Sequence, residues 1–251
     1  MSAAHQSLLV PADTPVHHLA PQCKVAATAL FVLAVAATPT GEYWPYLWYL
    51  LLLAAVAALA RLPPLTLSRR LLVEVPFLLF VLALPIFDGP PSLTVLGVGL
   101  SVPGLHAATT IALKATFGLL ATGILAATTP PPEIITGLER LRVPRVFTAV
   151  AAFMVRYTEV LAAELARMRI AAICRGGKAR WLWQVRDVTA GLGALVVRSF
   201  ERGERVYLAM VSRGYTGALP TALTGVAASR VAWAGALAMP ALAAIGTVLA
   251  S

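Results

Sequence analysis

Five apolar runs, at residues 25–37, 43–60, 71–87, 106–128 and 226–250, leave this chain few ways to fold. A helix crossing the hydrocarbon core of a bilayer needs about 20 predominantly apolar residues. Inside lipid the backbone must satisfy its own hydrogen bonds, so such runs are expected to be helices. Charge supports this: only 12% of the 251 residues are charged, against 59% hydrophobic. A soluble domain carries about a quarter charged residues. The expected fold class is therefore all-α, a polytopic membrane helix bundle of five or six spans.

The loops orient the bundle. Arg61, Arg69 and Arg70 frame the loop after the second run, whereas 38–42 and 88–105 contain no Lys or Arg. Positive loops stay on the cytoplasmic side, which places the N-terminus inside and the end of the last span outside. Residues 88–105 are rich in Gly and Pro, with an apolar centre (Leu93 to Val102) too short for a confident span. They are expected to form an outer loop or short surface hairpin. Trp44, Tyr46, Trp48 and Tyr49 are expected to form an aromatic belt at one interface. Four segments result: a cytoplasmic lead (1–23), an N-terminal bundle (24–128), a cytoplasmic helical region (129–225) and a final transmembrane helix (226–251).

Residues 131–226 hold 14 of the 20 Lys and Arg but only 7 of the 11 Asp and Glu. Following several apolar spans, this basic block fits the positive-inside rule better than nucleic-acid binding. Residues 133–142 suggest a short amphipathic helix stopped by Pro144. From Arg145 to Arg175, Val146, Val150, Phe153, Met154, Tyr157, Leu161, Leu165 and Met168 recur every three or four residues. That spacing lays one apolar stripe along a helix. Arg156, Glu159 and Arg167 fall on the other side, so the helix is expected along the membrane surface or beneath the bundle. A second long helix is expected from Asp187 to Arg213, with Asp187 as its N-cap or first-turn acid.

These two helices end alike. Ile170-Ala171-Ala172-Ile173-Cys174-Arg175-Gly176 matches Leu208-Ala209-Met210-Val211-Ser212-Arg213-Gly214 at an offset of 38 residues, and Arg167 corresponds to Arg205. Gly just beyond a helix can end it in the left-handed conformation, and Arg in the last turn faces the negative end of the dipole. Two well-capped helices would account for either end alone. The matched pair points further, to an arginine fork at each tip suited to a carboxylate in a partner's groove.

On these residues the chain resembles the transmembrane T component of energy-coupling-factor importers, in its cobalt-type CbiQ form. The resemblance also rests on Pro15-Val16-His17-His18-Leu19, Cys23-Lys24-Val25, Arg70-Leu71-Leu72-Val73-Glu74-Val75-Pro76-Phe77, Gly137-Leu138-Glu139-Arg140-Leu141-Arg142-Val143-Pro144, Arg156-Tyr157 and Glu164-Leu165-Ala166-Arg167-Met168. It covers nearly the whole chain. The signatures Cys174-Arg175-Gly176 and Ser212-Arg213-Gly214 are its most specific part, and Cys174 departs from the common Ala or Ser. The resemblance implies that these six residues dock two ATPase subunits. It also implies that a separate CbiM-like membrane subunit binds the substrate, Co²⁺, in the inner membrane. Nickel, biotin or a shared vitamin system are alternative cargoes.

Nothing catalytic is expected of the chain itself. Gly176-Gly177-Lys178 lacks the upstream spacing of a phosphate loop, so partner subunits would use the ATP and no cofactor is expected here. No HExxH, nucleophile elbow or paired catalytic carboxylates occur. Cys23 and Cys174 have no CxxC spacing, and His5, His17, His18 and His106 have no acidic or sulfur partner at ligand spacing. Lys114 and Glu74 lie within expected spans and are candidate intramembrane functional residues. The bland alternative for Lys114 is a bond to a backbone carbonyl. A membrane enzyme would need a polar constellation in the spans. A stand-alone transporter would need two matched membrane halves. Neither pattern is present in the sequence.

Overall fold

The computed structural model of the chain describes residues 12–63, 70–87, 93–95, 98–176, 185–215 and 228–248. It is helical: α1 (Pro15–His18), α2 (Pro21–Ala37), α3 (Trp44–Leu59), a 3-10 turn (Leu72–Glu74), α4 (Val75–Val81) and α5 (Leu84–Phe87) come first. A hairpin of β1 (Leu93–Val95) and β2 (Val98–Leu100) follows, then α6 (Val102–Thr128), α7 (Pro131–Arg140), α8 (Arg145–Cys174), α9 (Val185–Val211) and α10 (Arg230–Val248). The described residues form two compact units, one holding α8 and α9 and the other the remaining elements.

In the larger unit α2 is central, flanked by α6, α7 and α10, while α3 closes the bundle against α6 and α10. An aromatic cluster fills the middle. Tyr49 meets Phe31 edge-on with centroids 5.8 Å apart, and Tyr46 stacks on Phe117 at 5.9 Å. Thr38 and Tyr49 share a 3.0 Å hydroxyl hydrogen bond inside the core. Outward-facing residues are as apolar as the centre: Leu33 is 63% exposed, Leu79 65% and Phe80 72%. In water such a surface would aggregate, whereas in lipid it is the ordinary exterior.

α6 and α10, at 27 and 19 residues, are long and apolar enough to cross a membrane, and so by length and composition is α8. α2 and α3 have 17 and 16 residues, or about 24–26 Å at about 1.5 Å per residue. They are shorter apolar helices than α6 and α10. α8 differs in kind, because Arg156, Glu159, Glu164, Arg167 and Arg169 all lie along it.

Three expectations are corrected. Residues 71–87 do not form one helix. Pro76 and Pro85 each lack an amide hydrogen and crowd the carbonyl four residues back. The chain accordingly makes the 3-10 turn before α4, ends α4 at Val81 and restarts at Leu84. α6 begins at Val102 rather than at His106, because Ser101 caps it by accepting from the Gly104 amide at 3.4 Å and Pro103 suits its first turn. The hairpin expected within 88–105 is present, with Leu93 paired to Leu100 and Val95 to Val98, and adds no sixth span. Residues 88–92 and 96–97 lie outside the described residues. The aromatic belt is not one belt either: Tyr46 and Tyr49, three residues apart, are 4% and 0% exposed. Trp44 faces out, and Trp48 donates to the Leu242 carbonyl of α10 at 3.0 Å.

α7 lies against the first turn of α2 at a glycine. A methyl group on Gly137 would stand 3.0 Å from the Pro21 carbonyl carbon and 3.1 Å from the Gln22 nitrogen, both backbone atoms that cannot yield. Gly118 of α6 has nothing within 4 Å. Gly137→Ala is expected to destabilise by about 1–3 kcal/mol through overpacking. Gly118→Ala is expected to be neutral or to stabilise by about 0.5–1 kcal/mol through helix propensity. Thermal unfolding of the two variants in detergent checks the contrast.

Candidate functional site

The repeated sequence ends are repeated structures. α8 runs to Cys174, Arg175 follows at φ −89°, and Gly176 takes φ +83°. α9 runs to Val211, Ser212 and Arg213 complete the turn, and Gly214 takes φ +82°. At the second end the Gly214 amide donates to the Val211 carbonyl at 2.9 Å and Tyr215 to Met210 at 3.0 Å. This paired closure is the Schellman arrangement, which only glycine enters without strain. At the first end the equivalent bond, Gly176 to Ile173, measures 3.0 Å. Residue 177, which would supply its second bond, lies outside the described residues.

Each glycine ends its helix in the left-handed conformation just after the arginine. Residues 170–176 and 211–214 are all exposed. Among the described residues the amides of Arg175 and Arg213 bond within their own helix ends, to Ala171 and Met210, and neither guanidinium has an ion pair or hydrogen bond. The Ser212 hydroxyl folds back onto the Ala209 carbonyl at 3.0 Å, and Cys174 is an exposed free thiol. Both tips therefore carry positive charge, small neighbouring side chains and, among the described residues, no paired acid.

The two rods cross. Arg198 of α9 donates to Glu164 of α8 at 3.0 Å, and the Met168 methyl lies 3.9 Å from where a Cβ on Gly191 would stand. Advancing along α8 means retreating along α9, so the pair runs in an antiparallel sense and the tips diverge. Arg175 lies about 16 Å beyond the contact along α8 and Arg213 about 22 Å beyond it along α9, at about 1.5 Å per residue. Glu164 also accepts from Arg167 at 2.5 Å. The Arg167 hydrogen bond first, and the Arg198 bond after it, hold the Glu164 carboxyl below the usual carboxylate range, while desolvation works the other way. The apolar stripe of α8 is exposed at its start, with Val146 70% and Met154 65% exposed, and half-buried from Tyr157 to Met168. Asp187 falls in the first turn of α9, which begins two residues earlier at Val185.

The candidate intramembrane charges lie elsewhere, in the bundle, and do not meet each other. Lys114 donates to the Ala36 carbonyl at 2.8 Å, in the last turn of α2. Glu74 is 6% exposed and its Oε1 accepts from the Thr116 hydroxyl at 3.0 Å, while its Oε2 has no hydrogen-bond partner among the described residues. His17 bonds Thr14, His18 bonds Asp13, and His106 bonds the Tyr43 hydroxyl. His5 lies outside the described residues.

Sequence comparison places this architecture. The family model of the cobalt transport protein CbiQ matches residues 12–226, which include both tips, both rods and most of the bundle. The chain belongs to the CbiQ family. Among curated proteins, cobalt transport protein CbiQ of Rhodobacter capsulatus is 32% identical over 136 residues, 53% of this chain and 54% of that protein. The chain thus spans about half the length of that relative. The energy-coupling factor transporter transmembrane protein EcfT of Thermanaerovibrio acidaminovorans is 29% identical over 221 residues, 83% of this chain and 81% of its own. A putative fused cobalt transport protein CbiMQ of Methanocorpusculum labreanum is 26% identical over 120 residues, 48% of this chain and 20% of its own. The protein is therefore a membrane-embedded transport component.

One residue of the family-matched region was quoted in the sequence only as part of a motif. Lys24 is 7% exposed, and its ammonium donates to the His17 carbonyl at 2.9 Å and to the Thr128 carbonyl at 3.2 Å. Together with Lys114 it forms a reciprocal pair: α2 supplies a cation to the end of α6, and α6 supplies one to the end of α2. The sequence signal was there, a lone lysine at the mouth of an apolar run. The tie between Glu164 and Arg198 had no such signal, because nothing in spacing alone pairs residues 34 apart.

The Glu164 tie has a pH signature. Its pKa is lowered in the folded chain, so its contribution is in place above about pH 4, near the unfolded value, and is lost as pH falls through the lowered folded value. Glu164→Gln is expected to loosen the crossing at neutral pH and to remove this acid sensitivity. Spin labels at Ala171 and Ala194 report it as a broader distance distribution, with a modest change because both arginines are solvent-exposed.

Proposed function

We propose that the chain is the coupling subunit of an ATP-driven importer of the energy-coupling-factor type. Two ATPase subunits grip the tips at Cys174-Arg175-Gly176 and Ser212-Arg213-Gly214. A separate membrane subunit binds the substrate, and this chain passes motion from the one to the other. The observation that carries the reading is the pair of equivalent ends, Gly176 at φ +83° and Gly214 at φ +82°, exposed at the tips of two long helices that meet in an antiparallel sense. A guanidinium offers a planar fork that pairs with a carboxylate through two hydrogen bonds, which suits a small docking tip. Helix stiffness then makes each rod a lever.

In this reading α8 and α9 lie on the cytoplasmic side of the inner membrane, the N-terminus is inside and α10 leads outside. The charges of α8 support that placement over a crossing of the bilayer, since each ion at the bilayer centre costs about 3 kcal/mol on insertion scales. The exposed part of the α8 stripe, at Val146, Val150 and Met154, would face the membrane or the substrate-binding subunit. Co²⁺ is the proposed cargo, because the matched family and the Rhodobacter relative are named for cobalt transport. A second reading, a T component serving another substrate, is favoured by the longer alignment to a protein named only as EcfT. The identity of the co-purifying membrane subunit separates the two.

Arg175→Glu combined with Arg213→Glu is expected to release the ATPase subunits while the bundle stays folded. Tandem affinity purification should show loss of at least about 10-fold in retained ATPase, since opposed charges replace two charge-assisted contacts worth about 1.5–3 kcal/mol each. Normal retention would sink the docking role. Cys174 offers an independent check of sidedness, because Cys23 is fully buried. A membrane-impermeant maleimide is expected to label Cys174 in inside-out vesicles, not in right-side-out ones, and bound ATPase is expected to protect it.

A further inference from the structure

Of the two stretches of chain that link the rods to the bundle, the one leading into α8 follows a joint that cannot hold itself. α6 ends at Thr128, Thr129 is extended at φ −142° and ψ 119°, and α7 starts at Pro131. In a continuing helix the carbonyls of residues 126, 127 and 128 would accept from the amides of residues 130, 131 and 132. All three of those residues are proline and have no amide hydrogen. No backbone ladder therefore crosses from α6 into α7, and the angle between them is set from outside.

The first turn of α2 sets it. Lys24 gives the Thr128 carbonyl the donor that Pro132 cannot supply, and the same ammonium holds the His17 carbonyl at the end of α1. Thr128 and Thr129 are buried at the joint, 4% and 1% exposed. Beyond it, Gly137 of α7 rests on the backbone of Pro21 and Gln22, and the Arg140 guanidinium donates to Gln22 Oε1 at 3.4 Å. α7 runs on through residues 141–144 into α8. We propose that Lys24 is a positioning residue for force transmission: it pins the α6–α7 joint, so that a displacement of α8 turns the bundle instead of flexing the proline hinge. This rests on the coupling function proposed above.

The test compares Lys24→Met, which keeps length and removes the donors, with Lys24→Arg, which keeps them. Each is assembled with its ATPase and substrate-binding subunits, isolated as intact complex and reconstituted in proteoliposomes. Co²⁺ uptake and ATP hydrolysis are measured on the same samples. Lys24→Met is expected to keep ATP hydrolysis and to lower Co²⁺ moved per ATP at least about 5-fold, which is about 1 kcal/mol of coupling lost. Lys24→Arg is expected to recover more than half of that ratio. An unchanged ratio in Lys24→Met overturns the proposal. Failure of Lys24→Met to assemble while Lys24→Arg assembles also overturns it, because Lys24 is then a folding residue. A wild-type complex that hydrolyses ATP without any ATP-dependent uptake sinks the functional reading instead.

Discussion

Helix ends are the weak points of any bundle in lipid. The last four carbonyls of each helix have no intrahelical donor, and one that lies within the hydrocarbon has no water to replace it. Here two lysines answer that need across one antiparallel pair: Lys24 serves the end of α6 and Lys114 the end of α2. Each ammonium also sits at the negative pole of the helix it serves, where a cation is favoured. The exchange fixes the register of α2 against α6, and α3, α7 and α10 pack around that pair. Charges that look out of place in an apolar sequence are in this bundle the means of closing it.

Arg70 also donates to a carbonyl of α6, that of Gly123, five residues before the helix ends. Glu74 is the contrasting case, with one oxygen bonded to Thr116 and the other bonded to nothing among the described residues. The bundle thus treats its cations as connectors between backbones. Its buried acid is held by a single hydroxyl.

Much of this was legible in the sequence, for reasons that separate by length scale. Apolar period and length located α2, α3, α6, α8, α9 and α10 to within a few residues, because burial in lipid or along a stripe dominates their composition. The glycine-closed tips were legible because a left-handed residue after a helix leaves a local mark, and the repeat doubled it. Residues 71–87 were misread as one helix because hydropathy ignores the backbone, and two prolines decided the outcome there. Tyr46 and Tyr49 were misread because an aromatic-rich helix start fits either an interface or a core, and only helical phase against Phe31 and Phe117 tells them apart. Lys24 was visible but mute: its partners lie 7 and 104 residues away, and a carbonyl has no sequence signature. The pair of Arg198 with Glu164 was silent for the same reason.

The antiparallel crossing of α8 and α9 has a mechanical corollary. Two stiff bars joined near Glu164 and carrying like handles at divergent ends form a scissor about that point. Opposed pushes of equal size on the handles cancel as translation and add as torque. A pair of similar engines acting together would thereby twist the pivot without dragging it sideways, and one acting alone would do both.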